Sequence, residues 1–270
     1  MDKKILFLGG GNMAEGIIGG LLKHKVFEPG NITVYDVIPA RLEYLKNTYG
    51  LQTTDKGIAA AADQDVVFLA VRPQDVDNAC RGLDAYLGPD TIVMSIISST
   101  DIAKLESFAG SGAKIARIMP NTLIKTGNGY SAAAVNGNVD EGDKKTITAV
   151  LDALGQTMYI REEMFDRFTA YSCAGPMFLY MMAHALIEAG IHCGFSKKES
   201  YDIVIRNMIG TGENLDLTGS HPLQLVDTMT SPAGVTIESL KVLEEEAFTG
   251  IVMKAMEAGV KRAEDMGKIR

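Results

Sequence analysis

Ile5-Leu-Phe-Leu8 runs without a break into Gly9-Gly-Gly-Asn-Met-Ala14, and apolar residues then return at Ile17, Ile18, Leu21 and Leu22. The continuous apolar run predicts a buried strand and the spacing by three and four predicts a helix, so the glycines fall at a strand-turn-helix junction. Gly-x-Gly-x-x-Ala in that context is a dinucleotide signature. Gly9 permits the tight turn, Gly11 lets the backbone approach a pyrophosphate, and Ala14 lets the helix pack close to the sheet. Gly9, Gly11, Asn12 and Met13 are the loop's candidate cofactor contacts. Strand-like runs then alternate with helical patterns as far as Ile160, the βαβ signature of a parallel sheet covered on both faces. The predicted strands are Ile5–Leu8, Ile32–Tyr35, Val66–Val71, Ile92–Ile97, Lys114–Met119, Tyr130–Ala134 and Met158–Ile160.

Two further strand ends belong to the same expected site. The second strand stops at Asp36, whose carboxylate can accept hydrogen bonds from the adenosine ribose and repel a 2′-phosphate, so NAD(P)H is expected as cofactor with NADH usable. Arg41, one helical turn beyond, could meet a phosphate or be a solvated surface residue. The third strand ends at Ala70-Val-Arg-Pro73, where proline breaks the ladder and exposes backbone at the carboxyl edge of the sheet. Ala70, Val71, Arg72 and Pro73 are therefore expected beside the cofactor ribose.

Beyond Glu162 no strand-like run remains. The predicted boundary is Arg161, giving a dinucleotide-binding Rossmann domain over 1–161 and a helical domain for dimerisation and substrate over 162–270. Met177–Ile191 is apolar nearly all round, which favours burial against a second subunit, with one central helix of a monomeric bundle as the plainer alternative. Near the end, Ser231-Pro-Ala-Gly-Val-Thr236 precedes a helical pattern through Ile237, Leu240 and Leu243. The backbone N–H groups of Gly234, Val235 and Thr236 would gather at that helix start and suit a small carboxylate, unless Ser231 or Thr236 merely caps the helix.

Composition narrows the partners. With a net charge of −8 over 270 residues and no run of Lys or Arg, neither nucleic acid nor an anionic membrane is expected as partner, and a small molecule is. The cysteines Cys80, Cys173 and Cys193 and the scattered histidines lack metal-ligand spacing, so free thiols and no metal are expected. No stretch reads as a secretory segment or as a bilayer span, which makes the cytoplasm the expected compartment.

The motifs together resemble those of the pyrroline-5-carboxylate reductase family. That family carries Gly-x-Gly-Asn-Met-Ala, here Gly9–Ala14; Ala-Val-Lys-Pro-Gln, here Ala70-Val-Arg-Pro-Gln74; and Arg-x-Met-Pro-Asn-Thr-Pro, here Arg117–Leu123. Its Thr-Ala-x-Ser-Gly-Ser-Gly-Pro-Ala is similar to Thr169–Met177, and its His-Pro to Thr-Thr segment is similar to His221–Thr236. The resemblance implies reduction of the cyclic imine 1-pyrroline-5-carboxylate to L-proline by a homodimer able to assemble further. It places the imine carboxylate at the turn, with Thr228, Ser231, Gly234, Val235 and Thr236 as substrate contacts and Thr236 as the residue nearest the chemistry. Cys173, Ala174 and Met177 depart from the family's Gly, Ser and Ala, Ala233 from a Gly, Leu123 from a Pro, and Ile97-Ser-Ser99 from Ala-Ala-Gly. These departures keep a related cyclic imine, or a nucleotide-binding regulatory paralogue with weak turnover, as alternatives. A β-hydroxyacid dehydrogenase is a poorer fit, because no lysine occurs between Arg161 and Ser196 to act as general acid.

Overall fold

The structure, a computed structural model, describes residues 1–98 and 100–268. Eight strands form one sheet in the order β3-β2-β1-β4-β5-β6-β7-β8. They are β1 (Ile5–Leu8), β2 (Ile32–Tyr35), β3 (Gln52–Thr54), β4 (Val66–Leu69), β5 (Ile92–Ser95), β6 (Lys114–Pro120), β7 (Gly129–Val135) and β8 (Gly155–Tyr159). On the faces of the sheet lie α1 (Asn12–Lys23), α2 (Pro39–Tyr49), α3 (Val76–Cys80), α4 (Ile102–Ala109) and α5 (Glu141–Asp152). After β8 come α6 (Phe165–Phe168), a π-helical turn at Thr169–Cys173, then α7 (Gly175–His192), α8 (Lys197–Thr218), α9 (Pro222–Thr228), α10 (Val235–Glu245) and α11 (Phe248–Lys268).

Alternation along the strands builds two cores. Ile5 and Phe7 point to one face, where Ile17, Ile18 and Leu21 of α1 and Ile147 and Leu151 of α5 cover them. Leu6 and Leu8 point to the other, against Cys80, Leu105 and Phe108. Because successive side chains leave a strand on opposite faces, an uninterrupted apolar run is what a strand covered on both sides requires. Each fully buried Ile or Leu among them contributes ~2 kcal/mol of transfer free energy. Phe7 and Phe68 stack across β1 and β4 at 4.9 Å between ring centroids.

Two features of the sheet differ from the expected wholly parallel one. β7 runs antiparallel to β6, while β8 pairs parallel with β7. The link from Pro120 to Gly129 is too short for a crossover helix, so the chain can only turn back beside the strand it left. β3 was not legible as a strand, since Gln-Thr-Thr at the sheet edge carries no apolar run.

The chain divides into two compact units, Met1–Cys173 with the chain from Arg262 on, and Ala174–Lys261. These limits differ from the change of periodicity at Arg161. Residues after 161 stay with the sheet because Phe165 is buried against Met119 and Ala134, and Glu162 pairs with Arg117 at 3.1 Å. Phe165 also lies 3.9 Å beneath the Arg117 guanidinium.

The second unit is helical. Gly190 of α7 meets Ser200 of α8 so closely that a Cβ would come within 2.7 Å of Ser200 Oγ. α7 buries only Pro176 and Ala183, leaving Leu179, Tyr180 and Met181 56%, 65% and 58% exposed within the single chain. By length and composition the helical stretch Glu162–His192 would suffice to cross a membrane, which corrects the expectation that no such stretch exists. Four consecutive helical segments, a 3-10 turn at Glu162–Met164, α6, the π-helical turn and α7, read as one there, a length that the sequence spacing alone did not join.

Candidate functional site

The glycine loop stands at the carboxyl edge of the sheet, where β1, β4 and β5 end in register at Leu8, Leu69 and Ser95. Gly9 adopts φ +102 and its N–H donates to the Tyr35 carbonyl at 2.8 Å. A Cβ on Gly9 would stand 2.6 Å from the Ala70 carbonyl oxygen, so both backbone conformation and crowding demand glycine. Gly11 is different. Its φ of −64 suits any residue, and a Cβ there would meet nothing. What glycine leaves open at position 11 is the approach to the start of α1, where the first-turn amides of Asn12, Met13 and Ala14 have no side-chain cap. That is the cradle a pyrophosphate needs, and the residues present fit a dinucleotide.

A cleft of about 750 Å³ opens along this edge and brings together Gly9, Gly11, Asp36, Ala70, Val71 and Arg72. Asn12 lines a smaller cleft of about 370 Å³, Met13 packs its side chain into the core, and Pro73 starts a short 3-10 turn beyond Arg72. The Arg72 side chain is exposed and its Nε pairs with Asp75 at 2.7 Å. Sequence reading missed Tyr35, Lys56, Gly57 and Ile58, which also line the larger cleft. Their signal was the Asp55-Lys-Gly57 turn, hidden because the edge strand before it was not recognised.

Asp36 is held more tightly than expected. Oδ2 accepts from the Gly10 N–H at 2.8 Å and Oδ1 from the Ile38 N–H at 2.9 Å. Arg41 is neither a solvated surface residue nor directed at the cleft: its side chain pairs with Glu15 and is one-fifth exposed.

In the helical unit the turn takes a defined form. The Gly234 N–H donates to the Ser231 carbonyl at 3.0 Å, with Pro232 second and Ala233 at φ +56 third, the pattern of a type II turn. The Gly234 amide is therefore closed within the turn, which corrects its expected place among the free donors. α10 begins at Val235 with Gly234 as N-cap, and no side chain caps it, neither Ser231 nor Thr236. The amides without an intrahelical partner are thus those of Val235, Thr236 and Ile237. Thr228 turns its hydroxyl back to the Leu225 carbonyl at 2.7 Å. Ser231 crowds Gly234, where a Cβ would fall 2.3 Å from Ser231 Oγ.

Of the departures from the family pattern, Cys173 donates to the Pro120 carbonyl at 3.6 Å, and burial pushes its thiol up to about 11. It is a protonated packing group at neutral pH and not a nucleophile. Leu123 donates its N–H to the side chain of buried Asn121, which also accepts from Tyr130 N–H. Ser99 lies outside the described residues.

Residues 162–266 match the family model described as pyrroline-5-carboxylate reductase dimerisation, and residues 4–99 match one described as NADP oxidoreductase, coenzyme F420-dependent. A pyrroline-5-carboxylate reductase of Synechocystis is 31% identical over 268 residues, covering 99% of this chain and 100% of that protein. The Escherichia coli enzyme is 30% identical with the same coverage. Among solved structures, a pyrroline-5-carboxylate reductase from Coxiella burnetii aligns with a TM-score of 0.93 at 29% identity over 98% of this chain and 99% of that one. The Plasmodium falciparum pyrroline carboxylate reductase with NADP bound aligns at 0.86 and 30% identity, with 98% of each chain covered. With an end-to-end likeness over both the cofactor cleft and the helical unit, this chain belongs to the pyrroline-5-carboxylate reductase family.

Proposed function

We propose that the protein reduces 1-pyrroline-5-carboxylate to L-proline with NADH or NADPH, as a cytoplasmic homodimer formed through its helical unit. The observation that carries the substrate half of this reading is the uncapped start of α10 behind the Ser231–Gly234 turn. A ring carboxylate at that point would accept from the Val235, Thr236 and Ile237 amides with the helix dipole behind them. The half-buried Thr236 hydroxyl would orient the imine nitrogen or relay its proton. Gly234 and Ser231 act by shaping the turn, and Thr228 by closing the helix before it.

When bound, the nicotinamide supplies the hydride. A protonated cyclic imine is already electrophilic, so the protein's part is largely to orient the ring and exclude alternatives. The Asp36 carboxylate, which lines the cleft, is the proposed basis for NADH use, because its charge would oppose a 2′-phosphate and a carboxylate can accept from ribose hydroxyls. In support, Arg41 is already engaged by Glu15. The Plasmodium falciparum relative has NADP bound, which supports use of the phosphorylated cofactor as well.

The test is a spectrophotometric assay of pyrroline-5-carboxylate with each reduced nicotinamide. Turnover with both is expected, and Asp36→Ala should shift the kcat/KM ratio toward NADPH by about tenfold, the effect of one removed charge beside a phosphate. Cofactor binding without turnover of this imine would favour the regulatory or related-imine readings. An unchanged ratio would remove Asp36 from cofactor selection.

A further inference from the structure

We infer that Arg41 is a positioning residue of the dinucleotide site: with Glu15 behind it, it pins the Gly10 peptide so that the loop presents its amides to the pyrophosphate, and it does not read a 2′-phosphate. The inference rests on the cofactor cleft described above and concerns how that cleft is kept in shape.

Gly10 is held on both sides. Its N–H donates to Asp36 Oδ2 at 2.8 Å, and its carbonyl accepts from Arg41 Nε at 2.5 Å. A Cβ on Gly10 would come within 2.9 Å of Leu45 Cδ1 and 3.2 Å of Val34 Cγ1, so a side chain would have to displace these buried neighbours. A run of three glycines samples a wide range of conformations when unrestrained, so a fixed loop needs such external bonds. The Asp36 bond fixes the Gly9–Gly10 peptide plane and the Arg41 bond the Gly10–Gly11 plane, and the second of these sets the direction from which Gly11 enters α1.

Arg41 is itself held. Its Nη2 pairs with Glu15 Oε2 at 2.5 Å, and the guanidinium lies 5.1 Å from the centroid of the Tyr44 ring. Glu15 Oε1 accepts from Tyr49 OH at 2.9 Å and Tyr44 OH at 3.0 Å. Burial pushes the Glu15 carboxyl up, but hydrogen bonds from Arg41, Tyr49 and Tyr44 and the Arg41 charge outweigh it and hold the group below its ordinary value. The anchor therefore stays ionised at neutral pH. Glu15 sits in the first turn of α1 and Arg41, Tyr44 and Tyr49 on α2, so one network ties the loop to both flanking helices. Among the described residues lining the cleft, Asp36 is present and Arg41 is not. The guanidinium thus grips the loop from behind.

Direct titration of NADH and NADPH by fluorescence, with steady-state kinetics beside it, distinguishes this from phosphate recognition. Arg41→Gln should raise Kd for both cofactors by the same factor, roughly tenfold for one charge-assisted hydrogen bond, while the imine KM stays unchanged. Arg41→Lys should keep most of that defect, because an ammonium cannot serve the Gly10 carbonyl and Glu15 in the planar geometry of a guanidinium. Glu15→Gln, which preserves shape and the tyrosine bonds, should raise both Kd values equally but less, and it carries the test should Arg41→Gln fail to fold. A loss confined to NADPH would overturn the inference and make Arg41 a phosphate ligand. Unchanged affinity for both cofactors would overturn it too, reducing the network to helix packing. Failure of the wild-type protein to bind either nicotinamide would instead refute the dinucleotide reading of the cleft.

Discussion

Ala233 occupies a left-handed backbone position at φ +56, where the family's pattern has glycine. An alanine Cβ there crowds the following carbonyl at a cost of roughly 1–2 kcal/mol, against which glycine loses some chain entropy. Ala233→Gly is therefore expected to stabilise the protein by about 1 kcal/mol in denaturant unfolding. Ala247, at φ +50 and outside the turn, supplies a control in which glycine should stabilise without touching activity. Thr236 makes the sharper functional test. If its hydroxyl meets the imine, Thr236→Ala should cut kcat/KM about ten- to hundredfold with cofactor affinity intact, corresponding to roughly 1–3 kcal/mol for one lost polar contact. Gly234→Val should do more, because its side chain would collide with Ser231 and distort the turn itself. Full activity in both variants would end the case for this turn as the substrate site.

At the scale of elements, α7 asks for a partner. Its apolar character is spread around the helix, yet Leu179, Tyr180 and Met181 are more than half exposed in the single chain. A solvent-facing surface of that kind is costly unless a second copy covers it, and the match to a dimerisation model over 162–266 says which kind of cover the family uses. Leu179→Asp should convert the dimer to monomer in sedimentation equilibrium, since a buried unpaired charge costs several kcal/mol across a symmetric interface that contains it twice. A wild-type monomer at micromolar concentration would contradict the assignment. The sheet shows the complementary economy: β7 reverses beside β6 because the eight residues between Pro120 and Gly129 leave no length for a crossover.

For the whole molecule, the division into two compact units separates the cofactor cleft, made wholly by the first, from the turn, made wholly by the second. Ligand binding should therefore stabilise the units unequally. A nicotinamide at a hundredfold excess over its Kd is expected to stabilise the sheet unit by about 2.7 kcal/mol, seen as a rise in its calorimetric transition. Imine analogues without cofactor should leave that transition in place. Protein concentration, by contrast, should shift mainly the transition of the helical unit, which makes up most of the region that matches the dimerisation model.

How far all this was legible depends on the range of the interaction concerned. The strand-loop-helix of Ile5–Ala14, the acidic end of β2 at Asp36 and the helical start after Gly234 could be read directly, because local periodicity and glycine placement encode them within a few residues. The edge strand Gln52–Thr54 could not, since pairing with β2 and not an apolar pattern makes it a strand. The reversal of β7, the attachment of Phe165 to the sheet unit and the wall formed by Lys56 and Gly57 depend on neighbours distant in the chain. The same holds for two reassignments at the sites. Arg41 was a free cation in the sequence until folding brought Glu15 and the Gly10 carbonyl to it, and the Gly234 amide was a free donor until the turn closed on Ser231. The sequence by itself determined which loops lead into a helix start with their backbone amides near it, because glycine and helix starts are local facts; only the tertiary structure decided which donors those loops still offer, because each hydrogen bond is settled by whichever partner the fold brings within 3 Å or so.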